Sequence, residues 1–114
     1  MNTLQQFQIL LTDKGVLLDP LGLRDIALER SDALVAVSLL QNASCAILGG
    51  DVYFKRDSKI EIAYANWHSD PKVGENHEEF VQRSCLETEN YIKRFPISDA
   101  LPLFVLVTER QPME

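Results

Sequence analysis

The sequence has few of the residues from which metal and cofactor sites are built. It contains two cysteines and two histidines in 114 residues, and Cys45 and Cys85 do not form a Cys-x-x-Cys pair. This spacing excludes a zinc site built on thiolates. A Cys45–Cys85 disulfide stays open but is not favoured, because nothing marks the chain as secreted.

The other candidate ligands also lack the spacing of a metal site. None of them forms the i, i+4 histidine pair of a helical zinc site. No P-loop or Gly-x-Gly-x-x-Gly segment is present, which excludes the usual phosphate-binding loops. We therefore expect neither a metal nor another cofactor. The candidate ligands are His68, Asp70, His77 and Glu78.

Long apolar runs and a targeting segment are absent as well. No apolar run approaches the roughly 20 residues of a membrane-spanning helix. Residues 1–15 lack a basic leader followed by an apolar core and a small-residue cleavage site. We expect a protein of the reducing cytoplasm that does not bind membranes.

Basic residues are fewer than acidic ones, 11 against 17, which gives a formal net charge of −6. Phosphate backbones repel such a surface, so we expect no binding to nucleic acid. A basic protein partner is electrostatically favoured. The alternative is that the acidity only maintains solubility.

Length and hydrophobic periodicity predict one domain, residues 1–114, with about three helices. Gly15 is a natural end for the first helix, and a side-chain oxygen of Ser31 or Asp32 is expected to cap the second. The predicted helices cover residues 3–13, residues 31 or 32 to about 42, and the segment from near His77 to Pro96.

The strand pattern predicts an α+β fold with an antiparallel sheet of three or four strands. AILGGDVYF, the polar turn KRDSK and IEIAY form the clearest hairpin signal. LPLFVLVTE is too apolar for an exposed edge, so we place it inside the sheet beside the hairpin. RDIALER alternates and predicts a short edge strand. The helices are expected to pack mainly on one face of the sheet.

Two glycines interrupt the first hairpin strand. Gly49 and Gly50 indicate a bulge or a close backbone approach. A bulge would redirect Asp51 and require donors for its carboxylate, which Asn66 or backbone N–H groups could supply. The alternative is a structural kink with a solvated aspartate.

The segment YANWHSDP, residues 64–71, is the densest group of chemically active side chains. His68 could act as a base oriented by Asp70. The adjacent Ser69 is a poor nucleophile for this pair, because catalytic triads are assembled from distant segments. Cys85 lies on an apolar helix face, where a thiol is normally inert. We therefore predict no catalytic residues.

The same segment has features of a recognition surface. Trp67 could anchor a partner, or it could fill the core over a sheet, as a lone tryptophan often does. The nearby acids precede or begin the third helix, where the helix dipole favours negative charge. Their alternative role is an acidic patch that meets a basic partner. These acids are Asp70, Glu75, Glu78 and Glu79.

The order of several segments is informative. ILGGDVYF, a short polar turn, IEIAYANWHSD, a helix carrying EEFVQRSCLETENYIKRF and PLFVLVTE follow one another, after a helix in LERSDALVAVSLL. Together they resemble bacterial immunity protein family 40. The resemblance covers about residues 31–109, whereas the first thirty residues add nothing to it. The matching positions are Gly49, Gly50, Asp51, Tyr64, Asn66, Trp67 and Tyr91.

The resemblance implies a protein that acts by binding and not by catalysis. Such proteins are encoded beside a toxin of a polymorphic toxin or contact-dependent inhibition system, and they occlude or distort its toxic domain in the producing cell. We therefore predict an immunity protein that binds a cognate toxin domain as a monomer or weak homodimer. The alternatives are a small hydrolase or transferase that uses His68 with a carboxylate, and a self-associating adaptor domain. The predicted contact residues are Asp51, Tyr53, Trp67, Asp70, Glu75, Glu78 and Glu79.

Overall fold

The computed structural model describes residues 2–109 and has an α+β fold. Three α-helices accompany a five-stranded antiparallel sheet. The helices are α1 (Thr3–Lys14), α2 (Arg30–Asn42) and α3 (His77–Arg94). The strands are β1 (Val16–Leu17), β2 (Ile26–Glu29), β3 (Ile47–Arg56), β4 (Lys59–His68) and β5 (Leu101–Thr108), and a 3-10 turn at Asp19–Leu21 separates β1 from β2. The strand order is β1-β2-β5-β3-β4.

The predicted fold class is confirmed, but the sheet has one strand more than the upper estimate. The β3–β4 hairpin and the interior position of β5 agree with the prediction. β2 exists as predicted but is not an edge strand, because β1 pairs outside it. β1 contains only Val16 and Leu17, a length too short to show alternation in the sequence.

The predicted capping of α2 was wrong. The helix begins at Arg30, and its N-cap residue Glu29 makes no side-chain capping hydrogen bond. Ser31 and Asp32 lie within the first turn instead. Arg30, the first residue of the helix, instead donates from its guanidinium to the carbonyl oxygen of Ile92 in the last turn of α3. A free carbonyl at a helix end favours such a cation.

The helices pack on one face of the sheet and form the main core with it. Val52 and Phe104 contribute from the sheet, and Phe7, Leu40 and Ile92 contribute from the helices. Alternation along a strand sends neighbouring side chains to opposite faces. The helix-facing positions near the middle of the sheet, such as Val52 and Phe104, are therefore buried, whereas burial on the second face depends on what covers it.

The second face of the sheet is covered over only part of its area. A smaller core contains Leu18, Tyr53 and Leu103, and residues 16–23 pack over it. The 3-10 turn in this segment reaches β4. Beyond this segment, Ile62 and Tyr64 of β4 remain exposed, with 49% and 89% of their surface accessible. The uncovered part of the hairpin is therefore a free surface.

Both cysteines are buried and unpaired. Burial, the largest cause, raises the pKa of the Cys45 and Cys85 thiols to about 11. The thiolate is the reactive form of cysteine. These side chains therefore serve as small core residues at neutral pH.

Candidate functional site

The hairpin contains a bulge in β4 that sets the geometry of the exposed surface. Val52 pairs with Ala65, but the next residue, Tyr53, pairs with Ile62. Two residues of β4, Ala63 and Tyr64, therefore have no partner across the hairpin. Tyr64 takes a left-handed backbone conformation with φ of 55°. Such a conformation is rare for a bulky residue and carries strain.

The uncovered residues of the hairpin form what we call the β3–β4 face, defined as Asp51, Ile62, Tyr64, Asn66 and His68. Asp51 lies directly opposite Asn66 in the strand register. Asn66 and His68 flank Trp67, which points to the helices, so both point away from them. A shallow depression on this face is lined by Asp51, Ile62, Tyr64 and Asn66. The face combines an exposed aromatic, an aliphatic side chain and a carboxylate.

Asp51 is half-buried in this face. The predicted donor Asn66 lies opposite it. Among residues 2–109, however, no side chain or backbone N–H forms a hydrogen bond or ion pair with its carboxylate. Tyr53 beside it is buried. Burial, followed by the charges of Asp51 and Asp25, raises the pKa of the Tyr53 phenol. Two carboxylates therefore act electrostatically on the same part of the sheet.

Trp67 lies on the opposite side of β4, against α3. Its ring stacks on Tyr91 with a centroid distance of 4.6 Å and an interplanar angle of 26°. Its indole N–H donates to Thr88 Oγ1 at 3.0 Å. A Cβ added at Gly50 would come within 2.3 Å of the indole ring. Gly50 therefore provides the space that Trp67 occupies.

The acids that precede α3 have different roles. Glu75 receives two hydrogen bonds from Arg83, from Nε and Nη2, each at 2.8 Å. The same guanidinium donates to the carbonyl oxygen of Asp70 at 2.5 Å. Ser69, which is buried, donates its hydroxyl to Glu87 Oε1 at 2.7 Å. The loop between β4 and α3 is thus fixed to the helix by charge-assisted hydrogen bonds.

The next two acids begin α3. Glu79 and Asn76 form a capping box, in which Asn76 N donates to Glu79 Oε1 at 3.1 Å and Glu79 N donates to Asn76 Oδ1 at 2.8 Å. This arrangement satisfies free backbone donors at the start of the helix. Glu78 and Asp70 are exposed. Glu79 is exposed as well, so Glu75 is the one half-buried residue among the four predicted acids.

The Glu75–Arg83 pair predicts an acid-dependent change in stability. Hydrogen bonds from Arg83, followed by the backbone N–H of Lys72, lower the pKa of Glu75 from 4.5 to about 2. A lowered carboxyl pKa stabilises the fold above the unfolded pKa, and this contribution is lost as the pH falls from about 4.5 towards 2. We expect Glu75→Gln to unfold at a lower urea concentration than the wild type at pH 7. The difference between the urea midpoints of the two proteins should narrow steadily at pH 4, 3 and 2.5. A difference that is equal at every pH would contradict this role of Glu75.

His68 is not arranged as a catalytic base with a serine nucleophile. Its Nε2 lies 3.9 Å from Asp70 Oδ2, and their side chains are 77% and 82% exposed. The Ser69 hydroxyl donates to Glu87 instead of His68. Within residues 2–109, no group of three or more histidine, cysteine, aspartate or glutamate side chains could hold a metal ion. In the same part of the chain, no helix is long and apolar enough to cross a membrane.

The family comparison decides how these features are interpreted. The family model for Immunity protein 40 matches residues 17–108 of the chain. The chain belongs to this immunity protein family. Comparisons with curated proteins and with solved structures give no match. The family match also corrects the expected extent of the resemblance, because it begins at residue 17 and includes the 3-10 turn and β2.

In this immunity protein, the seven positions that carried the sequence resemblance fall on both faces of the sheet. Trp67, Tyr91 and Gly50 lie together between β3, β4 and α3. Asp51, Tyr64 and Asn66 belong to the β3–β4 face. Gly49 has φ of 149°, and a Cβ there would lie 2.3 Å from the Trp67 carbonyl oxygen. The residues around Trp67 therefore contribute to the packing of the fold, whereas Asp51, Tyr64 and Asn66 lie on the uncovered face of the sheet.

Ile62, Tyr64 and Arg83 were not among the predicted contact residues. The bulge in β4 that contains Tyr64 leaves no local signature in the sequence. Arg83 lies in α3 and pairs with both Glu87 and Glu75. Its i, i+4 spacing from Glu87 could have identified that ion pair. Its eight-residue separation from Glu75 crosses a loop and matches no helical spacing.

Proposed function

We propose that this protein binds the toxic domain of a cognate bacterial toxin and neutralises it in the cell that produces the toxin. The observation that carries the proposal is the Immunity protein 40 family match, which spans residues 17–108 and so includes β2 to β5, α2 and α3. The setting would be a polymorphic toxin system, for example one of contact-dependent inhibition. The protein acts in the cytoplasm, where the toxin is made.

The proposed mechanism is occlusion by a preformed acidic surface. A net charge of −6 favours encounter with a basic toxin domain, because complementary fields raise the association rate. Oppositely charged pairs that are desolvated in the complex then slow its dissociation. The protein forms no covalent bond with the toxin and needs no cofactor.

The seven predicted contact residues take different parts in this proposal. Asp51 lies on the β3–β4 face beside the buried Tyr53, and Asp70, Glu78 and Glu79 lie around the start of α3. Trp67 positions the β3–β4 hairpin through its contact with α3. Glu75 positions the start of α3 through its ion pair with Arg83. The protein is proposed to engage the toxin as a monomer.

Co-expression in bacteria tests the proposed function. Cells that make the toxin domain encoded beside this chain should die without the chain and grow normally with it. The two proteins should also co-purify as a complex of one copy each. A toxin domain of unrelated sequence, made at the same level, serves as the control and should kill cells in both conditions. Death of cells that contain soluble chain and its adjacent toxin domain would contradict the proposal.

A further inference from the structure

The structure points to the β3–β4 face as the toxin-docking surface, with Tyr64 as its aromatic anchor and Asp51 as its charged contact. The occupant that fits this face is a toxin surface that presents an arginine or lysine beside an apolar group. This inference rests on the proposed function and specifies where the binding takes place.

The backbone at Tyr64 is strained, and the protein gains no visible packing from it. The residue has φ of 55°, yet 89% of its surface is exposed. Ser44 and Asp57 also have positive φ, but both follow the end of an element, where such conformations close a turn. Tyr64 takes this conformation inside a strand. Strain that is retained without internal packing is often a feature of functional sites.

The carboxylate charge of the β3–β4 face has no hydrogen-bond or ion-pair partner among residues 2–109. Asp51 is half-buried, and within the described chain its carboxylate accepts no hydrogen bond from a side chain or backbone N–H. A partly desolvated carboxylate is a strong site for an incoming cation. The acidic charge of Asp25 acts on the same region, because it adds to that of Asp51 at Tyr53. The complementary group on the partner is therefore basic.

The apolar part of the face is continuous with this charge. Ile62 is 49% exposed and lies opposite Tyr53 in the register. Val107, at the end of β5, is 44% exposed. Residues 16–23 already cover the remainder of this sheet side, and helices cover the other side. Within residues 2–109, the β3–β4 face and the adjoining Val107 are thus an uncovered area of the sheet in which aromatic, aliphatic and acidic groups lie together.

These groups match the chemistry of a binding hot spot. A guanidinium or ammonium group can lie over the face of a tyrosine ring while it pairs with a nearby carboxylate. Tyrosine and arginine are enriched among residues that dominate interface energy. The β3–β4 face would hold the basic side chain of the toxin between Tyr64 and Asp51.

The test measures the affinity for the adjacent toxin domain and the thermal stability of the same variants. Tyr64→Gly removes the ring and relieves the left-handed strain, so its melting temperature should rise while its affinity falls by about 30-fold or more. Asp51→Asn should lower the affinity by about 10-fold and reduce its dependence on salt. A merely structural role for Tyr64 would leave the affinity unchanged.

Two control variants are matched to these changes. Ser44→Gly relieves the same kind of backbone strain behind α2 and should stabilise the protein without a change in affinity. Asp13→Asn removes one exposed charge from α1 and should change the affinity by less than about 2-fold.

The outcomes separate this inference from the proposed function. If Tyr64→Gly and Asp51→Asn bind the toxin as tightly as the wild type does, the proposed docking site is overturned and the proposed function still stands. Loss of binding only in Glu78→Lys and Glu79→Lys would place the contact at the start of α3 and overturn it as well. A homodimer that dissociates in Tyr64→Gly would assign the face to a second copy. A wild-type chain that does not bind the toxin would overturn both proposals.

Discussion

Replacement of Trp67 by alanine is expected to lower the free energy of unfolding by about 3 kcal/mol, the lower end of the range for buried tryptophan. The ring is half-buried and stacks on Tyr91, and it meets Phe104 edge-on with a centroid distance of 6.5 Å. Its removal leaves Thr88, which is fully buried, without its donor. The loss therefore combines a cavity with a broken hydrogen bond.

Urea unfolding followed by circular dichroism measures this effect. Trp67 is the only tryptophan, so its fluorescence cannot report on a variant that lacks it. Trp67→Phe is the matched control, because it keeps an aromatic ring against Tyr91 but loses the donor to Thr88. We expect the control to lose about half as much stability as the alanine variant. A stable Trp67→Ala protein with much weaker toxin binding would instead make Trp67 a direct contact residue.

Replacement of Gly50 by alanine is expected to destabilise the fold by about 2–3 kcal/mol, the upper part of the usual range for overpacking. The added Cβ would lie 2.1 Å from the carbonyl oxygen of Val105 and 2.3 Å from the Trp67 ring. One neighbour is backbone of the adjacent strand and the other is a ring fixed by stacking. Neither can move without disturbing β5 or α3.

Gly74→Ala provides the comparison for this substitution. Gly74 has φ of 83°, and a Cβ added there would meet no atom within 4 Å. Its replacement should destabilise the protein by about 1 kcal/mol through the left-handed backbone alone. If Gly50→Ala lowered the free energy of unfolding no more than Gly74→Ala does in the same urea experiment, close packing would not explain the glycine at position 50.

The sequence predicts the fold well where periodicity extends over many residues. α3 has a sustained apolar face and ends near Pro96, and the hairpin strands flank a polar turn. The apolar character of LPLFVLVTE correctly placed β5 inside the sheet, where it lies between β2 and β3 and its residues 102–105 are buried. Long elements repeat their pattern often enough for local rules to identify them.

The remaining features depend on contacts between distant segments. α2 begins without a side-chain cap, and its first residue, Arg30, donates to a carbonyl on α3 that is distant in the sequence. The position of β2 depends on a two-residue strand that shows no pattern. The exposure of Tyr64 depends on a register shift between β3 and β4. The roles of Glu75 and Asp70 could not be predicted from the sequence either, because both residues contact Arg83 across a loop.

The measurement that tests the central claim most directly is a titration of toxin activity with the purified protein. If the protein neutralises the toxin by occupying its surface, the activity should fall linearly and reach zero at one molecule of immunity protein per toxin domain. His68→Ala should give the same titration, because the proposed occlusion assigns no catalytic role to His68. Complete inactivation by a small fraction of an equivalent, lost in His68→Ala, would show that the protein is an enzyme and would contradict this account.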